Sequence, residues 1–110
     1  MLEFSDFQKV DMRIGTILEV RDFPEARNPS YQLWVDFGKD LGVKKTSAQL
    51  TKRYSKEDLA GKQVVAVVNF PPKQIAHFMS ECLILGAVGE DGDVILLAPE
   101  AAVSNGLRIG

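Results

Sequence analysis

From Arg13 onward the chain alternates with period two. Ile14, Thr16, Leu18 and Val20 share one face of an extended segment, and Gly15, Ile17, Glu19 and Arg21 share the other. A glycine inside a strand marks a bulge, a bend or a close backbone approach. Long, bent first strands are what small closed barrels require. Tyr31 to Phe37 predicts a second strand, with Leu33, Val35 and Phe37 toward a core and Gln32, Trp34 and Asp36 toward a wetter side. Gly38 to Gly42 is a turn, and Val43 to Leu50 a third, more polar strand. Val64 to Val68 is an apolar, mostly β-branched run, the pattern of a fourth strand buried on both faces. Met79 to Gly86 predicts a fifth strand, and Glu90 to Asp93 a turn into Val94 to Leu97.

The remaining segments read differently. Phe4, Phe7 and Val10 suit a short helical turn laying one apolar face on the body. Pro24 to Pro29 is a loop by its two prolines and its asparagine. Ser55 can cap a short helix whose first turn holds Glu57 and Asp58, and Gly61 offers the left-handed stop. Pro71 and Pro72 donate nothing to a ladder, so Pro72 to Phe78 is a connecting segment with room for some helix. Residues 99–110 form a tail. Three strands, a short helix and two or more strands predict an all-β, five-stranded Greek-key barrel of the OB-fold type. Its helix lies between strands three and four, with N- and C-terminal extensions. A β-sandwich is the competing architecture, although it needs more strands and no obligatory helix.

At 110 residues the chain suits one domain, 1–110. The longest apolar runs fall far short of the roughly 20 residues a membrane helix needs, and the start lacks a secretory pattern. The expectation is a cytoplasmic protein without membrane insertion. The net charge of −2 hides an asymmetry. Between Lys44 and Lys73 stand seven basic residues against two acidic ones, a local +5 that leaves −7 elsewhere. One basic face on an acidic body suits a polyanion or an acidic partner, and a solvated helix with its loops would read the same way.

Catalytic chemistry is sparse. The single histidine, His77, and the single cysteine, Cys82, exclude His- or Cys-rich metal sites and an internal disulfide. No glycine-rich phosphate cradle follows a strand. A hydrolase would have to combine His77 with Ser47 or Ser80, neither in a nucleophile elbow. The expectation is therefore no enzyme, no cofactor and no metal. Binding features are richer. Trp34 points opposite Leu33 and Val35, where it can stack on a base or an apolar side chain, or equally fill a second core or a dimer contact. The apolar N-terminal segment and the tail Ala101 to Ile109 predict a homodimer with both ends at its two-fold seam.

Five strings in register resemble the tRNA-binding OB-domain family, found as the appendix of methionyl-tRNA synthetases and in EMAP II-type cytokine precursors. They are Phe7 to Gly15, Asp36-Phe37-Gly38, Tyr54 with Leu59 to Lys62, Asn69 to Lys73, and Ser80-Glu81-Cys82. Ala48-Gln49, Asn69 to Pro72 and Glu81-Cys82 resemble the CsaA subgroup, export-related chaperones that form homodimers. The resemblance implies binding of unfolded preprotein segments and contact with the export machinery. The alternative is recognition of tRNA shape through a basic OB face. Lys44, Lys45, Lys52 and Arg53 would form a basic rim for phosphates or acidic stretches. Asn69, Lys73, Ser80 and Glu81 would form a pocket rim. Phe70, Ile75 and Phe78 would supply its apolar floor or else pack within the barrel or the dimer seam. The candidate binding residues are Trp34, Phe70 and the polar residues of the two rims, while Ile75 and Phe78 are expected to pack within the barrel or the dimer seam.

Overall fold

In the computed structural model, which describes residues 1–110, the organising element is β1, Met12–Asp22. Its second half pairs antiparallel with β2 (Tyr31–Asp36) and its first half with β4 (Gln63–Val67). The ladder to β2 slips between Ile17, opposite Val35, and Glu19, opposite Trp34. Leu18 is the extra residue, and the alternation changes phase there. Gly15 and Ile17 face the interior before the bulge, and Val20 packs on the core after it. Leu18 stands 53% exposed rather than sharing a buried face with Val20. The bulge adds the twist that closure needs. Gly15 is the close approach its place in the strand predicted: a Cβ there would lie 2.6 Å from Val35 Cγ1 and 2.8 Å from the Phe37 ring.

β3 (Val43–Ala48) continues the meander, and α2 (Lys56–Leu59) follows it. Ser55 Oγ accepts the Asp58 N–H at 3.2 Å, and the Asp58 carboxylate accepts the Ser55 N–H at 2.9 Å. This reciprocal cap lets four residues hold a helix. Gly61 ends it at φ +87°, and Leu59 is fully buried. Val64, Val65, Ala66 and Val67 are all buried, as a strand covered on both faces requires.

The segment after Asn69 departs from the expectation. No helix forms. β5 (Lys73–Ile75) and β6 (Phe78–Ser80) make a hairpin around a two-residue turn, Ala76 at φ +54°. The single fifth strand expected from Met79 to Gly86 is divided into the end of β6, β7 (Leu83–Ile84) and β8 (Gly86–Val88). β9 (Val94–Leu96) pairs with β8. Ser80 and Glu81 turn toward β3, which breaks the run into short pieces.

The main sheet runs β3-β2-β1-β4-β7. One five-stranded antiparallel sheet curls into a nearly closed OB-type barrel, not a two-sheet sandwich. Closure between the edge strands is made largely by residues 80–82. Glu81 N–H donates to the Lys45 carbonyl, and Thr46 Oγ1 donates to the Cys82 carbonyl at 2.6 Å. The interior holds Ile17, Leu33, Val35, Phe37, Leu59 and Val64 among others. The tail also joins the barrel. Beyond the end of β2, Gly106, Leu107 and Ile109 hydrogen-bond the backbone of Met12 and Ile14, and the Gln63 amide grips the backbone of Val103. Gly106 is required there, because a Cβ would meet the Phe37 carbonyl oxygen at 2.5 Å, at φ +90°. α1 (Phe4–Gln8) buries none of its residues on this chain.

Candidate ligand-binding face

Register puts Glu19, Trp34 and Lys45 in one row across β1, β2 and β3, with side chains outside the barrel. Trp34 is not free there. The Arg21 guanidinium lies 4.8 Å from its ring centre, and the Phe78 ring meets it at 5.9 Å and 82°. Phe78 also touches Phe23 at 5.4 Å, and His77 packs edge-on against Phe23 at 6.0 Å. Lys45 Nζ sits 5.1 Å over the Phe78 ring. Two cations over two rings and two further aromatics make a second, external aromatic cluster, each cation–ring pair being attractive in its own right. The hairpin β5–β6 delivers Phe78 and His77 to it.

The basic rim expected from Lys44, Lys45, Lys52 and Arg53 is divided. Lys44 and Lys45 lie on β3, and Lys73 stands across the hairpin from Ser80; none of the three is in an ion pair. Lys52 and Arg53 lie at one end of the barrel and clamp the turn at Glu90–Asp93. Lys52 Nζ donates to the Asp91 carbonyl at 2.9 Å, and Arg53 forks onto Asp93 with two bonds of 2.8 Å. That pairing holds the Asp93 carboxyl below its ordinary range and the Arg53 guanidinium above its own. Arg53 is therefore matched by a carboxylate, whereas Lys44 and Lys45 on β3 and Lys73 on the hairpin are not.

Ser80 and Glu81 are beside these lysines, but their polar atoms face β3. Ser80 Oγ accepts the Ser47 N–H at 2.8 Å, and Glu81 Oε1 accepts the Lys45 N–H at 3.0 Å. Asn69 lies apart from them: its Oδ1 accepts the Asp11 N–H at 3.0 Å and its Nδ2 donates to the Lys9 carbonyl at 2.7 Å, locking the entry to β1. Phe70, Ile75 and Phe78 do not form one floor. Phe70 is 56% exposed, Ile75 is half-buried and Phe78 is buried. Cys82 is buried, which pushes its thiol up to about 12.

Two features escaped the sequence pattern. Exposed Val43, Met79 and Leu83 stand on β3, β6 and β7, the elements that carry or adjoin the free lysines. At the far end, Asn28, Gln49, Thr51 and Lys52 line a polar cleft of about 210 Å³. The Pro24 to Pro29 loop is legible in sequence, but its meeting with residues 49–52 is not, since nothing local links them.

A barrel of this topology, with cations and aromatic rings on its outer strands, is a binding module. The chain belongs to the "Putative tRNA binding domain" family, whose model matches residues 12–108. It is 39% identical over 109 residues to the methionine–tRNA ligase of Thermococcus onnurineus (strain NA1), covering 98% of this chain and 14% of that one. The chain thus spans about one-seventh of that curated relative, whose match is confined to a non-catalytic domain. Two crystal structures are similar throughout. The chaperone CsaA of Bacillus anthracis str. Ames has a TM-score of 0.95 and 55% identity, covering 100% of this chain and 99% of that one. The CsaA chaperone protein of Picrophilus torridus has a TM-score of 0.93 and 47% identity, with 100% of both chains covered. No helix is long and apolar enough to cross a membrane.

Proposed function

We propose that this chain is a CsaA-like chaperone that binds unfolded preprotein segments awaiting export in the cytoplasm. The observation that carries this reading is the make-up of neighbouring strands: Val43, Met79 and Leu83 are exposed on β3, β6 and β7, and Lys44, Lys45 and Lys73 on β3 and β5 are in no ion pair. Apolar side chains give an unfolded segment somewhere to bury its own, and the lysines attract its acidic stretches without demanding a sequence. Full-length likeness to two structures described as CsaA chaperones supports it.

The working unit we propose is a homodimer. The N-terminal segment presents Leu2 and Phe4, 71% exposed in the latter case, and the tail presents Val103 and Leu107. A second copy is the covering that such ends call for. Sedimentation at micromolar concentration should give twice the chain mass, and a monomer would remove this part.

The second reading, a module that holds tRNA by shape, draws on the family and on the same unpaired lysines. Parallel salt titrations separate the two. Saturable binding of unfolded peptides with little affinity for tRNA supports the chaperone. Steep log–log salt dependence for tRNA, with no peptide binding, would replace it.

A further inference from the structure

The hairpin β5–β6 is the part of the barrel least integrated by its backbone. Its strands form a separate sheet of 2, and no backbone hydrogen bond joins residues 70–79 to another element. A two-stranded hairpin on its own is marginally stable in water. The chain enters it through Pro71 and Pro72, which donate no N–H. Its turn keeps Ala76 at φ +54°, a left-handed conformation that disfavours alanine. Segments with such sparse attachment open at low free energy.

The end of β6 is held to β3 through Ser80, and short of it the hairpin is seated by ring contacts, Phe78 and His77 against Phe23 and Phe78 against Trp34. Phe78 fills a slot walled by Phe23 at 5.4 Å and Trp34 at 5.9 Å, with Lys45 Nζ over its ring. None of Phe23, Trp34 and Phe78 belongs to the main core cluster. The slot therefore offers an aromatic ring two ring partners and a cation. Its present occupant rides on an easily displaced strap.

We propose that the Phe23–Trp34 slot is a receptor for an aromatic side chain of an unfolded polypeptide, with Phe78 as its resident occupant. A client's Phe or Tyr replaces Phe78 ring for ring as the hairpin lifts, pivoting at Pro71–Pro72, while Ser80 and Glu81 stay fastened to β3. This inference rests on the polypeptide-binding reading above and adds the side-chain class that is recognised.

Trp34 is the only tryptophan, so its emission reports the slot directly. The test compares the full-length wild type with Phe78→Ala and Ala76→Asn. The probes are two extended peptides that differ only by Phe or Ser at the central position. Phe78→Ala empties the slot and should bind the Phe peptide about tenfold more tightly, with a shift in Trp34 emission and no gain for the Ser peptide. Ala76→Asn suits the left-handed turn and holds the hairpin closed, so it should weaken Phe-peptide binding about threefold. If Phe78→Ala does not fold, the Ala76→Asn result decides. Peptide binding that ignores the Phe, or is unchanged in the variants, overturns the slot but leaves the chaperone reading standing. A gain for tRNA in Phe78→Ala without a gain for the Phe peptide also overturns it. Failure of wild type and both variants to bind either peptide removes the chaperone reading and the slot together.

Discussion

Lys45 and Glu81 are bonded to each other twice: the Glu81 N–H donates to the Lys45 carbonyl at 2.8 Å, and the Glu81 carboxylate accepts the Lys45 N–H at 3.0 Å. A side chain here stands in for a missing strand. It satisfies an edge of β3 that would otherwise be open.

Glu81→Ala should therefore cost about 1–2 kcal/mol, because a part-buried N–H on β3 loses its acceptor. Glu81→Gln keeps an acceptor oxygen and should stay close to wild type, while removing a negative charge beside Lys45. Urea denaturation separates the two variants. Equal losses in both would mean that the charge, not the hydrogen bond, matters.

The two groups of basic residues should differ in their effect on any tRNA affinity. Lys45→Ala and Lys73→Ala should each flatten the log–log salt slope by about 0.7–0.9, the share of one phosphate contact. Arg53→Ala should flatten it less, since Asp93 already matches that charge. A larger effect at Arg53 would move the anion site to the barrel end.

Acid should loosen the chain through Asp11. Its carboxylate receives the Arg13 guanidinium at 2.6 and 3.3 Å, with Arg108 at 3.9 Å, which holds its pKa below the ordinary 3.8. The unfolded chain takes up the proton first, so this contribution is complete above about pH 5 and fades as pH falls through the folded value. Asp58, bonded by Ser55, and Asp93, bonded by Arg53, shift the same way. Asp11→Asn should be less stable than wild type at neutral pH, and the gap in urea midpoints should narrow as pH falls through the lowered folded-state pKa of Asp11. A gap independent of pH would assign the loss to geometry alone.

The Cys82 thiol should resist alkylation in the folded protein. Burial pushes it up to about 12, so almost no thiolate is present near neutral pH. Iodoacetamide labelling followed by mass spectrometry should track global unfolding in urea. Fast labelling without denaturant would show that the closure around Cys82 opens locally.

Period-two alternation marked β1 and β2, the Ser55 cap marked α2, and the β-branched run marked β4; the barrel and its helix were legible from these, with β3 placed as the polar stretch after the Gly38 to Gly42 turn. Each is a local signal, set by which neighbours along the chain share a face. The bulge at Leu18 was not legible, because both phases of β1 hold apolar residues and only pairing with Val35 and Trp34 chooses between them. The hairpin was missed because its strands are three residues each and follow two prolines, too short for any period.

The candidate face shows the same division. Residue types alone determined that this chain carries a concentrated run of lysines, one outward tryptophan and few groups able to assemble a reactive centre. Only the tertiary structure decided that Arg53 is matched by Asp93, that Asn69, Ser80 and Glu81 face backbone, and that Phe78 lies against Trp34. Hydrogen bonds and ring contacts join residues 30 to 60 positions apart. Which partner a polar or aromatic side chain finds depends on how the sheet curls, and the order of residues along the chain does not record that curvature.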